Sequence, residues 1–273
     1  MSRIAGRFEQ LAAQGRKALI PYIVAGDPTP DVTVSLMHQL VEAGADVLEL
    51  GVAFSDPMSE GPVIQLAHER ALANGASLRD AIEAVRTFRE KDTDTPVLLM
   101  GYANPVERMG YERFAEVASE AGVDALLTVD IPPEEVAQVK AQLGQYAMDN
   151  ILLVAPTTPA ERVQRITAEA TGFIYYVSLK GVTGAGHLDT EEVSAKLAQI
   201  RSHTDLPLAV GFGIKDADSA RAVASVADGV VVGSALIDAM ARTIDGGGDV
   251  SAAADAAVAL LRDIRSGVDS ASS

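Results

Sequence analysis

The chain has 273 residues, 48% hydrophobic and 22% charged, close to an ordinary globular composition, which excludes wholesale disorder and fibrous repeats. Its formal net charge of −16 repels phosphodiester backbones and anionic lipid headgroups, so neither nucleic acid nor a membrane surface is an expected partner. No cysteine is present, which excludes disulfides, thiolate nucleophiles and zinc knuckles.

The opening MSRIAGRFEQLAAQGRK lacks the apolar core of a signal peptide, and no apolar run reaches the ~18 residues of a membrane span, so a cytoplasmic location is expected. RIAGRFEQLAAQG reads as a helix ahead of the first strand, placed to plug the bottom of a barrel. Short apolar, β-branched runs follow at 18–26, 46–54, 96–104, 124–132, 150–156, 172–179, 207–214 and 229–236. Several are apolar almost throughout, as parallel strands covered on both faces must be. Helical stripes separate them: Phe114, Val117, Ala118 and Ala121 in one stretch, Val193, Leu197 and Ile200 in another. Thr158-Pro159-Ala160-Glu161 offers an N-cap and a first-turn proline, and Asp189 with Glu192 a weaker box.

Eight strand–helix units of about 34 residues each predict an α/β fold, a single (β/α)8 TIM barrel with an extra N-terminal helix. An open doubly wound sheet is disfavoured because AGDPTP stands where its glycine-rich turn belongs. One domain is expected over 1–273, with a final helix in AADAAVALLRDIR and a frayed tail from about 266 to 273.

In such a barrel the chemistry sits at the C-terminal ends of the strands. Alternation in VLELGV turns Leu48 and Leu50 outward and Glu49 into the barrel. A carboxylate among apolar walls gains affinity for protons unless a cation compensates, which is how a general acid is made. The next loop, AFSDPMSEGPV, carries Asp56 and Glu60, and Glu60 is placed to fold back over the mouth and share proton work with Glu49. Gly211, Gly213, Gly233 and Ser234 close strands seven and eight, where backbone amides and a helix start suit a phosphate. LKGVTGAGHLD after strand six reads as a lid or a passive linker. Its Lys180 admits Schiff-base aldolase chemistry, although an ammonium among glycines is expected to be exposed. His38, His68, His187 and His203 show no metal-ligand spacing and are assigned to surface or capping roles.

Taken in order, IPYIVAGDP (20–28), ELGVAFSDPMSEGPVIQ (49–65), GYANPVERMG (101–110), TVDIPPEE (128–135), YYVSLKGVTGAG (175–186), GFGI and VGSA resemble the tryptophan synthase α-subunit family along nearly the whole chain. The resemblance implies retro-aldol cleavage of indole-3-glycerol phosphate to indole and glyceraldehyde 3-phosphate, a lyase reaction of tryptophan biosynthesis. It implies no metal or organic cofactor in this subunit, and a pyridoxal-phosphate-dependent β subunit as partner in an α2β2 complex. Carried over by position, Glu49 is the acid/base carboxylate and Glu60 the carboxylate that polarises the indole N–H, supported by Tyr175 and Thr183. Gly184, Gly213, Gly233 and Ser234 cradle the phosphate, and Tyr22, Met100 and Leu127 line the indole slot.

Two departures stand out. The family usually has Asp where this chain has Glu60, and the extra methylene moves the carboxylate by about 1 Å, a displacement that can cost up to ~10²-fold in rate. It usually has proline where Ala53 stands, which loosens the loop. The expectation is a weak but real lyase. The alternatives are a catalytically weakened subunit that binds and activates the β subunit, and the Lys180 aldolase.

Overall fold

A computed structural model describes residues 2–132, 134–177, 190–211 and 213–271. In chain order the elements are α1 (Arg3–Ala13), β1 (Ala18–Val24), α2 (Thr33–Glu42), β2 (Leu48–Gly51), α3 (Pro62–Ala73), α4 (Leu78–Phe88), β3 (Val97–Gly101), α5 (Ala103–Met109), α6 (Tyr111–Ala121) and β4 (Ala125–Thr128). They continue with α7 (Val136–Gln145), β5 (Asp149–Val154), α8 (Ala160–Glu169), β6 (Ile174–Val177), α9 (Thr190–Arg201), β7 (Leu208–Gly211), α10 (Ala217–Ala224), β8 (Gly229–Val232), α11 (Ser234–Asp245) and α12 (Val250–Ser270).

The eight strands close into a barrel in sequence order, every neighbouring pair parallel, with β8 returning to β1. The expected (β/α)8 barrel is therefore present. Alternation sorts the strand residues into two apolar clusters. Inside the barrel Ala18, Ile20, Val47, Leu98, Ala125, Leu127, Ile151, Phe173, Ala209 and Val231 pack together, and Ile4, Phe8 and Leu11 of α1 pack against them from below. Phe8 meets Phe173 at 5.6 Å between ring centroids, so α1 is the plug its sequence predicts. Outside, residues such as Leu19, Leu50, Leu99 and Leu126 pack against the helices. The stripes of α6 and α9 are buried as expected at Phe114, Ala118 and Ala121, and at Val193, Leu197 and Ile200.

Three expectations about local structure are corrected. The strands end earlier than their apolar runs, β2 at Gly51 rather than 54, because the extra apolar residues leave the ladder to line the mouth, as Phe54 does by stacking on Tyr102 at 4.9 Å. Helix α8 is capped by Pro159, not Thr158; the Thr158 hydroxyl instead accepts from the Ala155 amide at 3.0 Å and shapes the turn before the helix. The tail does not fray at 266, since α12 runs to Ser270 with Gly267 and Val268 buried. The box at Asp189 and the glycine-rich segment with Lys180 lie outside the described residues.

Candidate active site

Tyr22 on β1 stands in register with Glu49 on β2, and Glu49 with Leu98 on β3, so a phenol, a carboxyl and an aliphatic side chain meet at one level inside the barrel. Glu49 is fully buried, and neither of its carboxyl oxygens has a hydrogen-bond partner among the described residues. Burial, with Glu60's negative charge adding to it, pushes the Glu49 carboxyl up to about 8. No Lys or Arg hydrogen-bonds to it among the described residues, so no cation compensates its burial there. At neutral pH this group holds a proton.

Glu60 is half-buried and also displaced by burial, up to about 7. Its loop is fixed at several points. The Ser59 amide donates to the Tyr102 hydroxyl at 3.1 Å, and the Gln65 side-chain amide donates to the Glu60 carbonyl at 2.9 Å. Tyr22 and Tyr175 both sense the two glutamates: burial first, then the carboxylates, holds each phenol well above its ordinary value. Both phenols are therefore hydrogen-bonding groups and not ionised ones. The two acids and two tyrosines named in the sequence thus come together over the same interior space.

Two glycines that the sequence does not single out for this purpose make room for those tyrosines. A Cβ on Gly51 would lie 2.4 Å from the Tyr22 hydroxyl oxygen, and one on Gly211 would lie 2.3 Å from that of Tyr175. Each phenol oxygen occupies the place of a missing side chain on the neighbouring strand.

Met100 and Leu127 stand in register on β3 and β4, and Leu127 is fully buried in the interior cluster with Met100 packed against it. They form an apolar wall beside the acids. On the opposite side, Gly213 follows β7 with φ +67°, in the left-handed region, and among the described residues nothing lies within 4 Å of where its Cβ would be. Gly233 caps α11 without a side-chain hydrogen bond, and Ser234 begins the helix. First-turn amides without a side-chain cap suit an anion at the N-terminus of this 12-residue helix. Thr183 and Gly184 lie outside the described residues.

His68 corrects the assignment of the histidines to surface or capping roles. It is 2% exposed, its Nδ1 accepts from the Phe54 amide at 3.1 Å, and its Nε2 lies 3.3 Å from the Tyr22 hydroxyl. Burial lowers it to about 4, so it is neutral. No pattern in the sequence marks it: it sits two turns into α3, next to the buried Ala67. Among the described residues no cluster of three or more His, Asp or Glu could hold a metal ion, and no helix is long and apolar enough to cross a membrane.

The family model described as tryptophan synthase alpha chain matches residues 8–264. The tryptophan synthase alpha chain of Thioalkalivibrio sulfidiphilus is 64% identical over 242 residues, 89% of this chain and 91% of that protein. That of Thiobacillus denitrificans is 56% identical over 274 residues, covering 100% of this chain and 98% of its own length. Among solved structures, tryptophan synthase subunit alpha from Legionella pneumophila superposes with a TM-score of 0.92 at 48% identity, covering 99% of each chain.

Proposed function

Because the chain belongs to the tryptophan synthase alpha chain family, whose reaction is the lyase cleavage of indole-3-glycerol phosphate, we propose that Glu49 and Glu60 divide the proton work of that cleavage. The observation that carries the assignment is Glu49, buried in the barrel with no cation to neutralise it among the described residues. The substrate's phosphate lies at Gly213, Gly233 and Ser234, with Gly184 completing the cradle. Its ring lies against Tyr22, Met100 and Leu127, and the chain between them crosses the space above Glu49.

Glu49 begins protonated, as its value of about 8 requires. It gives that proton to carbon 3 of the indole while Glu60, ionised, accepts a hydrogen bond from the ring N–H and supports the electron demand of the protonated ring. By the family resemblance, the role of supporting Glu60 falls to Tyr175 and Thr183. The bond from carbon 3 to the glycerol carbon then breaks, its electrons return to the ring, and the adjacent hydroxyl becomes the aldehyde of glyceraldehyde 3-phosphate. That hydroxyl's proton passes to the Glu49 carboxylate, which restores the acid. One proton leaves Glu49 and one returns, so the cycle is balanced and indole departs neutral. Holding the ligand at its phosphate end keeps the reacting carbon within reach of one carboxyl for both transfers.

The alpha chain works on a small-molecule substrate with a β-subunit partner and carries no cofactor of its own. We assign pyridoxal phosphate to the β subunit, the assembly to α2β2, the location to the cytoplasm and the whole of 1–273 to one domain.

The test is indole release from indole-3-glycerol phosphate by the purified chain, with and without the β subunit. E49Q is expected to bind substrate within about threefold of wild type and to lose at least ~10³-fold in kcat, in the upper half of the range for an acid/base group, because both proton transfers are removed. An E49Q variant with wild-type turnover overturns the assignment.

A further inference from the structure

The proton steps above make no use of His68, yet its surroundings fix its chemistry. Nδ1 faces the Phe54 N–H, so it must be the bare nitrogen, and the single proton of the neutral ring sits on Nε2. Nε2–H therefore donates to the Tyr22 hydroxyl oxygen at 3.3 Å. A phenol that accepts from one side has its own proton to give elsewhere.

The path of Tyr22 decides where that proton goes. Its ring starts against Gly233, where an added Cβ would lie 3.2 Å from the Tyr22 Cβ and Cδ1, and its hydroxyl ends over Gly51. Tyr22 thus spans the distance from the phosphate end of the site to the strand that carries Glu49. The charges it senses are Glu60 and Glu49, one on either side of the reacting carbon in the proposed cleavage. We propose that His68 is a positioning residue: by holding the Tyr22 oxygen as an acceptor, it turns the tyrosine's proton into the site, where it donates to an oxygen of the ligand's glycerol chain. The same ring anchors the Phe54 amide, at the root of the loop that bears Glu60. This inference rests on the cleavage reading for the identity of the ligand, but not on turnover.

Asparagine and glutamine separate the two nitrogens. H68N keeps an acceptor near Nδ1 for the Phe54 amide and loses the reach to Tyr22, whereas H68Q places an amide donor near Nε2. The binding of glycerol 3-phosphate and of inorganic phosphate is measured by calorimetry for wild type, Y22F, H68N, H68Q and the Y22F/H68N double variant. Y22F and H68N are each expected to weaken glycerol 3-phosphate about tenfold, the double variant no more than either, and H68Q less than threefold, with phosphate unchanged throughout. Non-additivity of this kind marks two residues acting through one bond.

Unchanged glycerol 3-phosphate affinity in Y22F overturns the proposal, as do losses that multiply in the double variant, or a parallel loss for inorganic phosphate. If H68N does not fold, Y22F against H68Q still decides whether the hydroxyl donates. Indole release is assayed separately: a wild type that shows the binding pattern but releases no indole refutes the cleavage reading and leaves the role of His68 standing.

Discussion

Glu49 faces Tyr22 across one ladder and Leu98 across the other, and among the described residues its carboxyl has no hydrogen-bonded cation. Keeping its carboxyl neutral has a consequence for stability as well as for catalysis. In the unfolded chain the group ionises near its ordinary value of 4.5, whereas in the folded chain it keeps its proton up to about 8. Between those values the folded state binds more protons, so this residue's contribution to stability falls as pH rises through the window and is fully unfavourable above it. Glutamine has no such proton to lose. E49Q is therefore expected to match wild type in urea unfolding at pH 4 and to exceed it by at least ~1.4 kcal/mol at pH 8, the free energy of a tenfold change in proton affinity. Equal stability at both pH values would show that Glu49 is solvated. This carboxyl was legible in the sequence because the period-two alternation of VLELGV leaves only one orientation for it. Its lack of a partner was not, since that depends on seven other strands.

Helix α3 organises the mouth from outside the barrel. Gln65 donates to the Glu60 carbonyl, His68 joins Phe54 to Tyr22, Arg70 pairs with the buried Asp27 at 2.6 Å, and Asn74 donates to the Gly26 and Pro28 carbonyls at 3.1 and 2.9 Å. One helix thus ties down the loops after β1 and β2, those on either side of Tyr22 and Glu49. The connection to Tyr22 exists only because β2 ends in a residue without a side chain. G51A places a methyl group 2.4 Å from the Tyr22 hydroxyl oxygen and is expected to cost about 1–3 kcal/mol while pushing Tyr22 off His68. G61A, with nothing among the described residues within 4 Å of its new Cβ and an extended backbone, is the matched control, expected within about 0.5 kcal/mol of wild type. Equal effects in thermal unfolding would mean that the opening over Gly51 is not needed. Strand and helix order were readable from hydrophobic period alone, but the work of α3 was not. Its polar residues at 65, 68 and 70, and Asn74 at its C-cap, look like ordinary solvated positions until the loops that fold over them are in place.

Across the whole molecule, the last helix closes what the first two strands begin. Arg265 of α12 is 7% exposed, its Nη1 lies 2.8 Å from Asp46 at the entry to β2, and its Nη2 reaches the Lys17 carbonyl and Asp269 at 3.2 and 2.6 Å. Asp46 in turn accepts from the Leu19 amide of β1 at 2.9 Å. A buried ion pair thus ties the last helix to the entry of β2, and Gly267 lets the helix pass close to the Ala217 carbonyl, 2.1 Å from where a Cβ would stand. That explains why the polar, small-residue sequence SGVDSASS, which reads as a loose end, is helical through Ser270: it packs on α10 at Ala217 and is tied by Arg265 to Asp46, more than 200 residues away, neither of which a local pattern encodes. Removing one partner of a buried pair leaves the other charged and unpaired, whereas removing both charges does not. R265M is therefore expected to cost about 3–5 kcal/mol in urea unfolding, and D46N/R265M measurably less than R265M alone, even though it carries one more substitution. A double variant less stable than R265M would mean that Asp46 supports β1 through the Leu19 amide without needing a cation. The helix would then be held by its apolar face at Ala257, Leu261, Ile264 and Val268, all of them buried.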